Sequence, residues 1–374
     1  MDCNSTQIHI PLADGTHAEV GDNTATTPGW DGIYQDQLRH VLANGTRIEP
    51  TKGPCLDLIG HSFVLADPRD RIIYNPARDF DLLGAMGQWL WTMAGRMEFE
   101  SIRYYNSKAD RFSVDKFRMH GAYGPRLFGI GVFNQIPRLI EMVQEKNWTR
   151  RAVATVYSPE FDTFRVKEGA VEDEVPCTIA IQFFPRGDKM EAMTFMRSQN
   201  AAGLLPLDVF LFTLLQEYVA CSAGYGVGPY HHAAGSFHIY EKARPMVDNY
   251  IAAKIENPRP LLPAMTKKDQ SQNLMAVLRQ EEALRVQAVT AGIEKGRRKF
   301  DATKFLAFAD EQEPFWKAVV EILLARAAIE AGDKELMRTM MERTTPAARV
   351  FLQREYAKHF EKTLLQFDFS LKEK

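Results

Sequence analysis

The chain has 374 residues, 45% hydrophobic and 25% charged, the balance of an ordinary globular protein with one large domain or a domain plus an appendage. A formal net charge of -2 provides no global basic field, which argues against a nucleic acid polymer as partner while leaving room for a small anion on a local Arg cluster. No apolar run approaches the ~18–20 residues that span a bilayer, so no membrane partner is expected.

Residues 1–28 are rich in Thr, Asp, Asn and Gly and read as a flexible tail. They carry neither a basic flank nor a continuous apolar stretch, so no signal peptide is expected. Four Cys (Cys3, Cys55, Cys177, Cys221) are scattered without a CxxC pair, which favours reduced thiols in the cytoplasm over disulfides or structural zinc. Apolar spacing from Ile33 to Leu42 predicts an amphipathic helix stopped by Asn44-Gly45, and LDLIGHSFVLAD (56–67) predicts a strand with a bulge or close approach at its glycine. DLLGAMGQWLWTMAGR (81–96) is apolar enough for a buried helix, weakened by its glycines.

A helix is expected at 134–146 and a strand at 151–157, then strands at 178–184 and 190–198 around a PRGD turn. LDVFLFTLLQEYVACSAG (207–224) is apolar almost all round and predicts a core helix. SFHIYEKARPMVDNYI (236–251) supplies a strand and the start of a helix. After about Asn257 the PRPLLP break leads into charged, helix-period sequence. The division is therefore a tail at 1–28, a catalytic domain at 29–257 and a helical extension at 258–374.

Four stretches carry chemistry: GAYGPRLFG (121–129), TRRAVATVYSP (149–159), VPCTIAIQFF (175–184) with FMRSQNAAGLLPLDVF (195–210), and GSFHIY (235–240). In order and spacing they resemble the thymidylate synthase superfamily across roughly residues 30–250, closest to its cytidylate 5-hydroxymethylase branch. The resemblance implies an α/β fold, a mixed sheet flanked by helices with one face against a second subunit. A pyrimidine C5 is a poor nucleophile until a group adds at C6, and a thiolate adds well and leaves again. Cys177 is that candidate nucleophile. Arg197, on the neighbouring strand by hairpin pairing, is expected to lower its pKa. Without the flanking motifs Cys177 would read as a small buried hydrophobe.

The resemblance places Arg197 and Ser198 on a nucleotide phosphate. It brings Arg150 and Arg151 to the same phosphate from the partner of a homodimer; taken alone the pair reads as solvated surface charge. Arg47 and Lys52 are both candidates for a further phosphate contact. Gln182 is expected near the nucleotide and Tyr123 in a water network that removes the C5 proton. His238 and Tyr240 alternate on a strand and so share one face, where the resemblance puts the sugar hydroxyl; a core histidine is the plainer reading of His238. His231 and His232 come without a ligand pattern, and no metal is expected.

Asp208 stands where thymidylate synthases carry an Asn that pairs with uracil. A carboxylate accepts from the cytosine N4-H2 and pairs with N3 once that nitrogen is protonated, so Asp208 points to CMP or dCMP. Its alternative is a helix N-cap. Two positions depart from the family: Gln88 replaces a catalytic Glu and cannot relay a proton, and Asn200 replaces an Asp that contacts the pterin, with Leu204 beside it on the folate side. The one-carbon donor implied is 5,10-methylenetetrahydrofolate and the product a 5-hydroxymethyl nucleotide. Alternatives are folate-dependent methylation of dCMP or dUMP, and a nucleotide-binding relative without turnover.

Overall fold

A computed structural model describes residues 10–11, 17–18, 29–129, 134–164, 174–255, 261–294 and 300–361. Of the expected tail, only the paired strands β1 (Ile10–Pro11) and β2 (His17–Ala18) are described. Cys3 and residues 362–374 lie outside the described residues.

The centre is a six-stranded mixed sheet. Its strands are β3 (Thr46–Ile48), β4 (Cys55–Leu65), β5 (Val153–Thr155), β6 (Thr178–Arg186), β7 (Lys189–Asn200) and β8 (Gly226–Tyr240), in the order β3-β4-β8-β7-β6-β5. All neighbours are antiparallel except β7 and β8. The parallel pair needs a crossover, and helix α6 (Leu205–Ser222) supplies it as the apolar core helix its sequence predicts. By length and composition α6 could cross a membrane, yet 89% of it is buried in the core. In β4 pairing continues on either side of Gly60, from Ile59 with Ser236 to His61 with Ala234, while Gly60 itself turns to φ +71°.

Helix α1 (Trp30–Asn44) buries Trp30, Tyr34, Leu38 and Val41 at helical spacing and ends at Gly45. Helix α2 (Leu82–Met93) is N-capped by Asp81, whose side chain accepts from Gly84 N at 2.8 Å. Helix α3 (Phe99–Tyr105) lays the Tyr105 ring directly on α2: a Cβ at Gly87 would come within 1.9 Å of it. The glycines that weaken α2 locally thus permit its close packing. The short α4 (Gly124–Leu127), α5 (Gln135–Glu145) and α7 (Arg244–Ala252) complete the surround of the sheet.

Beyond these come α8 (Ser271–Ile293), α9 (Thr303–Asp310), α10 (Pro314–Ala331), α11 (Lys334–Arg343) and α12 (Pro346–Tyr356). They share one continuous hydrophobic core with the sheet and α2. Trp89 of α2 meets Phe315 and Trp316 of α10 at ring-centroid distances of 6.1 and 6.0 Å. Glu281 of α8, buried, binds Arg96 at 2.6 Å, Arg285 at 2.8 Å and the Tyr105 hydroxyl at 2.8 Å, which ties α8 to the α2–α3 corner.

Candidate active site

Cys177 sits just before β6, and the hairpin with β7 reaches it: Arg197 N donates to Cys177 O at 2.8 Å. A register shift between Thr178 and Ala180 bends the strand there, the kind of irregularity that re-aims a side chain. Arg197 Nε donates to Pro176 O and Nη2 to Val175 O, both at 3.0 Å, so its guanidinium clips the segment leading to the thiol. Cys177 is half-buried and Arg197 exposed.

Burial pushes the Cys177 thiol above its ordinary range, Arg197 and Lys52 pull it down without overcoming that, and Asp208 pushes it further up. This corrects the expectation that Arg197 lowers the thiol pKa below normal. The guanidinium acts in the expected direction, but two of its donors serve backbone carbonyls and desolvation of the anion outweighs it. The thiol is therefore the resting form. The same fields join Tyr123 to the cluster: burial first, then Asp208 and Cys177, hold its hydroxyl well above the usual phenol range. Its ring stacks on Phe212 of α6 at 6.0 Å.

Asp208 lies in the first turn of α6, whose N-cap position is held by Leu204. It accepts from Gln199 Nε2 at 2.8 Å. Burial pushes its carboxyl up to about 7, and the Gln199 donor opposes the rise. Gln199, on β7, is 1% exposed and its Oε1 finds no partner among the described residues. Gln199 lies inside the third stretch, FMRSQNAAGLLPLDVF, two residues beyond Arg197 on the same strand, yet the sequence reading gives it no role.

His238 and Tyr240 share a face as their spacing requires, with ring centroids 4.9 Å apart. His238 is buried, which lowers its pKa against the opposing influence of Asp57 and Ser236. Ser236 Oγ donates to Asp57 and lies 3.4 Å from His238 Nδ1. Burial first, then Cys55 and Cys177, raise the Tyr240 hydroxyl. Ser198 pairs with Ser236 in the β7–β8 register. Gln182 donates to Arg150 O at 2.8 Å at the β5–β6 edge, where Arg150 and Arg151 are exposed.

Arg47 is held by Glu241 and Glu49, each at 2.7 Å, whereas Lys52 acts electrostatically on Cys177. Gln88 is the one residue of α2 that is not buried. Asn200 Oδ1 accepts from Gly203 N at 2.9 Å, beside the half-buried Leu204 at the start of α6. His231 binds Glu191 at 3.0 Å, and His232 is buried against Tyr230 and Phe63. Among the described residues no group of three or more His, Cys, Asp or Glu is gathered as for a metal ion.

A family model described as thymidylate synthase matches residues 32–285, which take in Cys177, Asp208 and all four stretches singled out in the sequence. The chain belongs to the thymidylate synthase family. The match runs past the compositional break at Asn257 and takes in most of α8. Three relatives named deoxyuridylate hydroxymethyltransferase come from phages. That of Delftia phage PhiW-14 is 27% identical over 239 residues, covering 62% of this chain and 66% of its own. The protein of Pseudomonas phage M6 is 26% identical over 235 residues, covering 58% and 65%. The protein of Bacillus phage SP01 is 25% identical over 219 residues, covering 56% of each. The chain spans less than two thirds of the length of these relatives.

Proposed function

We propose that this chain transfers a one-carbon unit to C5 of a pyrimidine nucleoside monophosphate, hydroxymethylating CMP or dCMP through a covalent Cys177–C6 adduct. The observation that carries this reading is the gathering of Cys177, Tyr123 and Asp208 within one electrostatic cluster, with Gln199 holding the carboxyl. As sulfur adds at C6, a proton must reach N3 of the ring, and a carboxyl near pH 7 is well matched to give it. Asp208, then ionised, faces two donors, N3-H and N4-H2. The adduct is an enamine with a nucleophilic C5. Tyr123, kept neutral by burial, orients the water that takes the C5 proton. Gln88, at the one open position of α2, holds that water without relaying protons.

Methylenetetrahydrofolate fits as one-carbon donor with a changed donor set. Asn200 Oδ1 already accepts from Gly203 N, and Nδ2 brings a donor where the family's Asp has acceptors alone, beside Leu204. When bound, that group supplies carbon at the oxidation level of formaldehyde, and hydration gives the hydroxymethyl product. Arg197, with Nη1 left over from its backbone contacts, and Ser198 meet the phosphate, with Lys52 and Arg47 as candidates for a third contact. Arg150 and Arg151 reach the site of a second copy, and Gln182 lines the nucleotide beside them. His238 and Tyr240 take the sugar hydroxyl. Exposed Val64, Val153 and Ile179 on the sheet support a homodimer. Residues 29–257 would carry catalysis and 258–374 brace α2.

A second reading, dUMP as substrate, is favoured by the names of the phage relatives. Neutral Asp208 would donate to uracil O4 and accept from N3-H, as an Asn does. Release of tritium from 5-tritiated CMP, dCMP and dUMP, with and without methylenetetrahydrofolate, tests both. Folate-dependent release from a cytosine nucleotide, lost in Cys177→Ala, with a product gain of CH2O, is expected. Release from dUMP alone would select the second reading, and a gain of CH2 would replace hydroxymethylation by methylation. No release from any of the three would leave a nucleotide binder.

A further inference from the structure

We propose that Gln199 is a specificity-determining positioning residue, whose Nε2 bond to Asp208 holds the carboxylate form that separates cytosine from uracil nucleotides. This deepens, and rests on, the pyrimidine-nucleotide reading of the site. The geometry is specific: Nε2 lies 2.8 Å from Asp208 Oδ2, which leaves Oδ1 to turn toward a base. Gln199 is 1% exposed, so a polar side chain is buried beside this bond, its Oε1 without a partner among the described residues. A buried amide with half its capacity unused is costly, and the contact to Asp208 is what its burial secures.

Only ionised Asp208 discriminates. Two acceptor oxygens meet the N3-H and N4-H2 of a cytosine ring carrying sulfur at C6, whereas the enolate that uracil forms puts negative O4 against them. A neutral carboxyl, with one donor and one acceptor, suits either base. An N–H donor favours the anion, so Gln199 holds the discriminating form against the desolvation that opposes it. The groups that face Asp208 from other elements push the other way or stay neutral: Tyr123 before α4, the Cys177 thiol before β6 and the Tyr230 hydroxyl of β8. Gln199 is the donor that favours ionisation.

The test is the ratio of kcat/KM for tritium release from dCMP over dUMP, followed from pH 5.5 to 8.5. Wild type is expected to gain cytosine preference as pH rises through about 7. Gln199→Met, close in volume, removes the donor; Gln199→Asn keeps polarity but is too short to reach. Both are expected to move that rise upward by about one pH unit and to cut the preference at pH 7.5 up to about tenfold, the scale of one charge-assisted bond. In an Asp208→Asn background the same changes are expected to alter the ratio by less than about twofold, because Gln199 acts through the carboxyl. If both variants fold, release tritium and keep the wild-type ratio and midpoint, the inference is overturned while the nucleotide reading stands. If wild type releases tritium from neither nucleotide, that reading falls and the inference with it.

Discussion

Around Cys177 the fold buries polar groups against their own preference, while between α2 and α10 it buries large rings in mutual contact. At the first place the thiol and the Asp208 carboxyl are both driven toward their neutral forms, and Gln199 keeps an unpartnered oxygen. At the second, Trp89, Phe315 and Trp316 are almost wholly buried and meet edge-to-face or tilted, and the Trp316 indole N–H donates to Gln270 Oε1 at 2.7 Å. Desolvated groups with unmet capacity cost stability and gain a reactive environment. Packed aromatics contribute stability and no chemistry. The molecule therefore stores its stability away from the reacting atoms, and substitutions in the two regions should separate activity from folding.

The sharpest separation is expected at Cys177. Cys177→Ala should lower tritium release by more than about a thousandfold, with a melting temperature equal to or slightly above wild type. A large loss of stability in this variant would break the comparison. On the other side, Trp316→Ala is expected to cost about 3–5 kcal/mol in denaturant unfolding through cavity formation and a lost indole bond. The folded fraction should retain its kcat. Loss of kcat at full folding would show that α10 reaches the chemistry through α2 and Gln88.

A smaller effect is expected at Glu217 of α6, 2% exposed, which binds Arg71 at 2.5 Å and accepts from Met265 N at 3.0 Å. Glu217→Gln leaves Arg71 buried without its counter-charge and should cost about 2–3 kcal/mol, read as an earlier urea midpoint at unchanged slope. A neutral outcome would mean that the charged pair only breaks even against its own desolvation.

The elements legible in the sequence were those whose period is set by one buried face. Helix α1 and the β6–β7 hairpin come out where spacing and turn residues put them, and the four motifs name the family. Strand β8 starts at Gly226, ten residues before the predicted strand, because GVGPYHHAAG, rich in glycine, carries no strand signal of its own while parallel pairing with β7 holds it extended. Gly87 read as a weakness because the Tyr105 ring that needs the space is distant in sequence. The direction of the Cys177 shift was missed for a related reason. Arg197 can be placed beside the thiol by strand pairing, but how much water the fold removes from the thiol cannot. Gln199 went without a role although it shares a stretch with Arg197 and Asp208, because only the turn from β7 into α6 brings its amide onto the Asp208 carboxyl.

The smallest expected effect concerns Asp208, where site and stability meet. Its folded pKa, about 7, is raised above the unfolded value of about 3.9. Between those values the unfolded chain has lost the proton that the folded chain keeps, so stability falls as pH rises from about 4 to 7 and then levels. Asp208→Asn removes the titration and keeps a partner for Gln199. It should leave stability at pH 4 unchanged and raise it at pH 8 by on the order of 1 kcal/mol, discounted for the open side of the site. The measurement is the melting temperature of both proteins at pH 4, 6 and 8. Curves that diverge with pH confirm a carboxyl held neutral at a cost to the fold, the state from which it can give a proton to N3. Parallel curves would mean that Asp208 ionises freely, and the proton for N3 would then have to come from the Cys177 thiol.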